Sequence, residues 1–267
     1  MQYAQIRPLV EATARQTGKF LLREWPRLKR SDVRSKSANQ LVSYVDEQAE
    51  ALIREALMQA WPGAAFLGEE KGAVAGQDAA RWIVDPLDGT TNYVHGIPGF
   101  CVSIALEVDG RPQIGAVYDP VHDQLYSAQR GKGANCNGVP IAVSQTAPLS
   151  EALLATGFPF HDYHALAQYL ELLGHFMRHT QGIRRIGAAA LDLAFVASGR
   201  FEGFFEYGLK PWDVAAGILL VEEAGGKVCD FSGHHARGFL EGGEMVATNG
   251  AVHAEMQEVV RHYLGTC

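Results

Sequence analysis

The sequence contains few cysteines and no long apolar run. Its 267 residues include four cysteines, none of them in a C-x-x-C pair. This excludes a disulfide-rich scaffold and a cysteine zinc site of the usual spacing, and predicts free thiols in a reducing compartment. Residues 6–25 interleave apolar and charged positions, so there is no signal-peptide core, and no stretch is long enough to span a bilayer. We therefore expect a cytoplasmic protein without membrane contact.

Positive charge is also scarce. The chain has 23 Lys and Arg against 30 Asp and Glu, a formal net charge of −7. Proteins that grip nucleic acid need a basic stripe along the phosphate backbone, so direct nucleic-acid binding is not expected. A small phosphate could still bind if metal ions supply positive charge locally. With 47% hydrophobic residues, the chain can bury a large core.

The periodicity of apolar residues changes along the chain. Helical spacing predicts helices over residues 6–21 and 43–60, while the polar segments 27–39 and 71–80 are expected to be loops. The remaining helices are predicted at about 165–178, 188–197, 211–225 and 252–264, and strands at about 64–67, 100–108, 113–118, 125–128, 152–156, 183–186 and 201–206. This pattern predicts a mixed α/β fold of layered sheets and helices. We expect one domain over residues 1–267, with subdomains covering about 1–148 and 149–267.

Residues 82–92, with the sequence WIVDPLDGTTN, are the most informative stretch. Ile83 and Val84 predict the end of a buried strand, which Pro86 is expected to stop because it lacks an N–H for the sheet ladder. Asp85 and Asp88 would then flank the carbonyl of Leu87. Two carboxylates and a carbonyl form an all-oxygen set that suits Mg²⁺.

Gly89 and Thr90 follow at a predicted helix start. Backbone N–H groups at such a position favour an anion, because they lack intrahelical partners and lie at the positive end of the helix dipole. A cation site beside an anion site suggests metal-assisted chemistry on a phosphate. Taken alone, however, the D-P-x-D-G string is equally consistent with an ordinary capped turn.

Two more acids lie at element ends elsewhere in the chain. Glu69 follows the predicted strand 64–67, and Asp213 lies in the first turn of the helix that begins at Pro211. The helix dipole alone could explain Asp213. If these acids converge with Asp85 and Asp88, they must hold cations, because repulsion and desolvation would otherwise be costly.

Two longer motifs carry a resemblance to a known family. Residues 82–91 resemble the first signature of the inositol monophosphatase family, and residues 211–226 resemble the second. Gly68-Glu69-Glu70 matches the acidic strand end that precedes the first signature, and residues 155–159 and 191–194 are similar to the bacterial SuhB-like branch. The resemblance covers nearly the whole chain. It implies an α-β-α-β-α sandwich of the sugar-phosphatase type, usually as a homodimer.

The resemblance also implies an activity, which is the Mg²⁺-dependent, lithium-sensitive hydrolysis of a small phosphorylated sugar or polyol. Inositol-1-phosphate is the first substrate hypothesis. Fructose bisphosphate, 3′-phosphoadenosine phosphate and histidinol phosphate are alternatives that would use the same fold and metal ligands. Because SuhB-like relatives can act as protein partners of the transcription machinery, a non-catalytic partner role is a second hypothesis.

Site residues are implied by position in the two signatures and their neighbours. Two to three Mg²⁺ ions would be held by Glu69, Asp85, the carbonyl of Leu87, Asp88 and Asp213. Thr90 and Glu69 would orient the attacking water and take its proton, and Asp46 would contact the weakest ion through water. The substrate would be bound by Asp88, Gly89, Thr90, Ala189, Glu206 and Lys36.

Four positions leave specificity open. Ala188 stands where relatives often have Ser or Thr, and Lys210 stands where they often have His or Arg. Arg184 and Arg185, a few residues before Ala188, could contact either the dimer interface or the phosphate.

Overall fold

The structure is a computed structural model that describes residues 3–37, 40–160, 162–234 and 243–265. Within these ranges the helices are α1 (Tyr3–Glu24), α2 (Tyr44–Ala60), α3 (Thr90–Val94), α4 (Leu166–His179), α5 (Ala189–Ala197), α6 (Pro211–Glu223) and α7 (His253–Leu264). The strands are β1 (Val33–Ser37), β2 (Gln40–Ser43), β3 (Ala65–Gly68), β4 (Gly72–Val74), β5 (Ala80–Asp88), β6 (Cys101–Val108), β7 (Arg111–Asp119), β8 (Gln124–Gln129), β9 (Ala134–Cys136), β10 (Val139–Ile141), β11 (Leu153–Thr156), β12 (Gly182–Arg184), β13 (Gly203–Leu209), β14 (Lys227–Cys229) and β15 (Gly243–Thr248).

Helices and sheets alternate in five layers. An eight-stranded sheet has the order β10-β9-β8-β7-β6-β5-β3-β4, and a five-stranded sheet has the order β12-β11-β13-β15-β14. Helices α1 and α2 pack on the outer face of the larger sheet, α5 and α6 lie between the sheets, and α4 and α7 cover the smaller sheet. The predicted layered α/β class, with its α-β-α-β-α order, is therefore confirmed.

Each helical layer buries its apolar stripe in a separate core. One cluster lies between α1, α2 and the larger sheet, and includes the buried Trp82. A second lies around α5 and α6 between the sheets, and a third lies under α4 and α7. Both sheets contact α5 and α6, so the predicted division into subdomains near residue 149 stays a prediction.

The prediction that Pro86 ends its strand was wrong. Strand β5 continues to Asp88, although its parallel pairing with β3 stops at Val84 and its register with β6 shifts between Asp85 and Asp88. Proline is tolerated at such an irregularity because no ladder N–H is required there. Asp85 and Asp88 are the paired residues on either side of this shift.

Two segments predicted as loops contain strands. In the segment 27–39, β1 pairs with β2 in register Val33↔Ser43; residues 38 and 39 lie outside the described residues. In the segment 71–80, β4 pairs antiparallel with β3. These strands are short and polar, so they carry no alternating hydrophobic signal. Across the described ranges, no helix has the length and apolarity needed to cross a bilayer.

Candidate active site

A cavity of about 240 Å³ lies where the ends of β3, β5 and β13 meet the start of α6. Its walls include eight of the residues predicted from the sequence: Glu69, Asp85, Leu87, Asp88, Gly89, Thr90, Glu206 and Asp213. The five acids in this set come from four separate segments of the chain and therefore face one space.

Local structure explains the position of each acid. Glu69 follows β3 directly, and Asp85 lies in the irregular end of β5, where its Oδ1 accepts the Leu87 N–H at 2.9 Å. Asp213 lies in the first turn of α6 and accepts the Lys210 N–H at 2.7 Å. Asp88 accepts the N–H of Ala190, in the first turn of α5, at 2.7 Å. Each aspartate thus satisfies a backbone donor at an element end.

Crowding and burial oppose ionisation of these acids. Burial raises the pKa of Asp85 well above its usual range, and the charges of Glu69, Asp88 and Asp213 add to the effect. Burial likewise raises the pKa of Asp213, with Asp88 as the next cause, and it raises the pKa of Asp88 to about 6. A cation in the cavity would stabilise the charged forms of all three.

The donor set fits a hard divalent cation. Carboxylates and the Leu87 carbonyl are oxygen ligands of the kind that Mg²⁺ takes. Within the described ranges, however, no three His, Cys, Asp or Glu side chains already converge as a coordination shell. Asp85, Asp88 and Asp213 each hold a backbone N–H. A bound ion would therefore compete with these backbone contacts for the three carboxylates.

Gly89 shapes the predicted phosphate cradle. It precedes α3 with φ of 91°, a left-handed conformation that favours glycine. A Cβ at this position would also lie 2.6 Å from the Gly99 carbonyl oxygen. The first intrahelical bond runs from the Tyr93 N–H to the Gly89 carbonyl at 3.0 Å. The amides of Gly89 and Thr90 thus belong to the open first turn beside the acids.

Thr90 contacts Asp46. Its hydroxyl lies 3.1 Å from Asp46 Oδ1 and 3.0 Å from the Leu87 carbonyl oxygen. Asp46 is fully buried and accepts from both the amide and the hydroxyl of Ser43. Its pKa is raised by burial. The structure therefore links Thr90 to Asp46, whereas the sequence had paired it with Glu69.

Two predicted substrate residues contact the acids. Lys36 Nζ lies 3.1 Å from Glu69 Oε1 and also pairs with Glu70, whose pKa burial raises to about 7. Ala189 faces Asp88 through its backbone. Neither Lys36 nor Ala189 is among the described residues that line the cavity.

Glu206 lies on β13 and also lines the cavity. Burial raises its pKa to about 8, although Arg185 opposes the rise. Its carboxylate packs on the bare Cα of Gly157, where an added Cβ would meet Glu206 Oε1 at 1.8 Å. Any larger residue at position 157 would displace the carboxylate.

Sequence reasoning missed the aromatic rim of the cavity. The Arg185 guanidinium lies 5.6 Å from the ring centre of Phe158 and 5.4 Å from that of Phe160. All three residues line the cavity. The segment 155–159 and the arginine pair were visible in the sequence, but no local spacing rule places them on one wall.

The fold and site define a layered α/β protein of the sugar-phosphatase type, with an acidic cavity at its strand ends. The model of the inositol monophosphatase family matches residues 2–264, and the chain belongs to this family. The resemblance predicted from the two signatures is therefore confirmed. The family is one of generally metal-dependent phosphatases.

The relatives cover most of the chain. Nus factor SuhB of Pseudomonas aeruginosa is 47% identical over 241 residues, which cover 88% of each protein. The extragenic suppressor protein suhB of Bartonella henselae has a crystal structure with a TM-score of 0.91 and 40% identity, covering 96% of this chain and 98% of that one. Inositol monophosphatase from Anabaena (Nostoc) has a TM-score of 0.85 and 37% identity, with 100% of each chain covered.

Proposed function

We propose that this protein is a Mg²⁺-dependent phosphomonoesterase that hydrolyses a small polyol phosphate, with inositol-1-phosphate as the preferred candidate. One observation carries the proposal. The carboxylates of Glu69, Asp85, Asp88 and Asp213, which come from three segments of the chain, share a cavity with the open first turn of α3. Similarity to an inositol monophosphatase over the whole chain supports the substrate class.

We assign the cation ligands as follows. Glu69, Asp85 and the Leu87 carbonyl hold one ion, Asp85, Asp88 and Asp213 hold a second, and a weaker third lies near Glu69. When bound, Mg²⁺ supplies Lewis acidity that favours deprotonation of water and stabilises the leaving oxygen. The raised pKa values of Asp85 and Asp213 support this assignment, because buried acids of this kind need a counter-charge.

The remaining roles belong to hydrogen-bonding groups. Thr90, held by Asp46, orients the attacking water, and Glu69 takes its proton. The amides of Gly89 and Thr90 hold the phosphate oxygens. Asp88 and Glu206 accept hydrogen bonds from the hydroxyl groups of the polyol. Ala189 and Lys36 complete the substrate side through their contacts with Asp88 and Glu69, respectively.

A substrate panel tests the proposal. Initial rates with Mg²⁺ would be compared for inositol-1-phosphate, fructose bisphosphate, 3′-phosphoadenosine phosphate and histidinol phosphate. We expect inositol-1-phosphate to be among the best substrates, and we expect a chelator to abolish its hydrolysis. If inositol-1-phosphate is turned over slowly and another phosphate quickly, that other phosphate becomes the preferred candidate substrate. Turnover that is unaffected by the chelator would refute the proposal.

The acids also predict how pH affects stability. The pKa of Asp88 rises from 3.8 to about 6 on folding, so its neutral form stabilises the fold and this contribution is lost as pH rises through about 6. The change corresponds to about 3 kcal/mol. We expect the Tm of the chelator-treated protein to fall from about pH 4 to about pH 6, and Mg²⁺ to raise Tm more at the higher pH.

Thermal melts with Mg²⁺ and with a chelator check this prediction. Asp88→Asn is the internal control, because an amide does not titrate and the pH dependence should become shallower. If Mg²⁺ raised Tm more at low pH than at high pH, the predicted direction of the pH dependence would be contradicted.

A second candidate function comes from the relatives. Proteins named Nus factor SuhB are 41–47% identical to this chain, so we propose a partner role in the transcription machinery as the alternative. A variant without hydrolysis separates the two functions in cells. If such cells show the full null phenotype, the catalysis-independent role loses its support.

We also propose a homodimer. On α4, Leu170 and Met177 are 55% and 68% exposed, and their spacing of seven residues puts them on one helix face. Exposed apolar side chains on one face favour association. Light scattering during gel filtration would show a dimer mass; a monomer mass at all concentrations would refute it.

A further inference from the structure

A buried glutamate on α2 has no role in the proposed chemistry. Glu50 is 0% exposed, and it lies one helical turn after Asp46 on the same face of α2. A buried carboxylate is costly unless hydrogen bonds satisfy it. The hydrogen bonds of Glu50 therefore indicate why this carboxylate is buried.

Both oxygens of Glu50 hold backbone amides. Oε2 accepts the Glu70 N–H at 2.8 Å, and Oε1 accepts the Lys71 N–H at 3.0 Å. These amides belong to the tight turn between β3 and β4, where Gly68 and Gly72 form the last pair. Amides in such a turn have no ladder partner, and the carboxylate supplies one for each.

The same turn carries Glu69. The Glu69 N–H donates to the Val84 carbonyl of β5 at 3.3 Å, so β5 fixes one side of the turn and Glu50 fixes the other. The Glu50 carboxylate also packs closely against Gly68, since a Cβ on Gly68 would lie 2.2 Å from Glu50 Oε2. The backbone around Glu69 is thus held from two directions.

Helix α2 connects two parts of the cavity wall. Asp46 contacts the Thr90 hydroxyl beyond β5, and Glu50 contacts the turn beyond β3. The rigid helix sets the spacing between these two contacts. One helix face therefore fixes Thr90 relative to Glu69.

We propose that Glu50 is a positioning residue, which holds the Glu69 turn in place for cation binding through the amides of Glu70 and Lys71. The inference rests on the proposed function, in which Glu69 is a cation ligand. Among the described residues the acidic side chains are not already arranged as a coordination shell, so they would rearrange when an ion binds. A fixed backbone would limit that rearrangement to side-chain angles, which is how residues behind metal ligands raise affinity.

Glu50→Gln is the direct test. The amide keeps one acceptor, but its NH₂ group faces a backbone N–H, so one of the two bonds is lost. We expect Mn²⁺, used as the probe, to bind about 10- to 100-fold more weakly. Free Mn²⁺ would be measured by electron paramagnetic resonance without substrate. Glu55→Gln, at an exposed position on the same helix, is the matched control and should bind like the wild type.

A double-mutant cycle separates positioning from general stability. If Glu50 acts through Glu69, Glu50→Gln should change Mn²⁺ affinity little in a Glu69→Gln background. Melting with a chelator reports stability independently. A lower Tm with unchanged Mn²⁺ affinity would show a purely structural role and would overturn the inference.

The remaining outcomes are also decisive. If the wild type binds no Mn²⁺, the proposed function fails and this inference fails with it. If the wild type binds Mn²⁺ and Glu50→Gln binds it equally well, only this inference fails. Should Glu50→Gln not fold, Glu50→Asp is the second variant. Its shorter side chain cannot reach both amides, so the same loss of Mn²⁺ affinity is expected and equal affinity would refute it.

Discussion

Replacing Asp88 with asparagine is expected to lower kcat/KM for the best phosphomonoester by ~10³-fold or more, about 4 kcal/mol of transition-state stabilisation. In the proposed site, Asp88 is both a cation ligand and a substrate contact. Asparagine keeps an oxygen for the Ala190 N–H that Asp88 now accepts at 2.7 Å, so the backbone contact survives. The loss would therefore come from the missing charge. Initial rates at saturating Mg²⁺ measure it.

Asp109→Asn is the matched control. Asp109 lies in the turn between β6 and β7 with φ of 52°, a conformation that asparagine also adopts. This variant should keep wild-type rates. Activity of Asp88→Asn within about tenfold of the wild type would mean that the acidic cavity is not the catalytic centre.

Removing the hydroxyl of Thr90 is expected to have the second-largest effect. Thr90→Ala deletes the group that lies 3.1 Å from Asp46 and 3.0 Å from the Leu87 carbonyl. If this hydroxyl orients the attacking water, kcat should fall by ~10²-fold. KM should change little, because the Gly89 and Thr90 amides that hold the phosphate remain. Steady-state kinetics separates the two constants.

Two variants make the Thr90 result interpretable. Thr90→Ser keeps the hydroxyl and should recover most of the activity. Thr91→Ala alters the exposed neighbour and should behave like the wild type. An equal loss in Thr90→Ser and Thr90→Ala would show that the methyl group matters rather than the hydroxyl.

Sequence reasoning located the acids because their signals are local. Asp85, Leu87 and Asp88 lie within four consecutive residues, so their proximity needs no tertiary knowledge. Glu69 follows the end of a strand and Asp213 lies in the first turn of a helix, and periodicity can locate both kinds of position. The layered fold followed from the change between hairpins and alternating strands and helices. These features depend on the backbone pattern more than on packing.

Features that arise from tertiary contacts could not be predicted. The hairpin of β1 and β2 has no alternating apolar pattern, yet it places Lys36 beside Glu69. The grouping of Arg185 with Phe158 joins segments whose side chains meet only in the folded chain. From the sequence alone, Glu50 is an ordinary acidic residue of a predicted helix. Its role becomes visible only when its oxygens are seen beside two turn amides.

Diffraction from crystals grown with Mn²⁺ and phosphate tests the central claim most directly. Anomalous scattering locates Mn²⁺ without reference to any assumed ligand. We predict at least one anomalous peak within coordination distance of an Asp85 carboxylate oxygen, with phosphate beside the amides of Gly89 and Thr90. A cavity without an anomalous peak at saturating Mn²⁺, or peaks only elsewhere on the protein, would contradict the account.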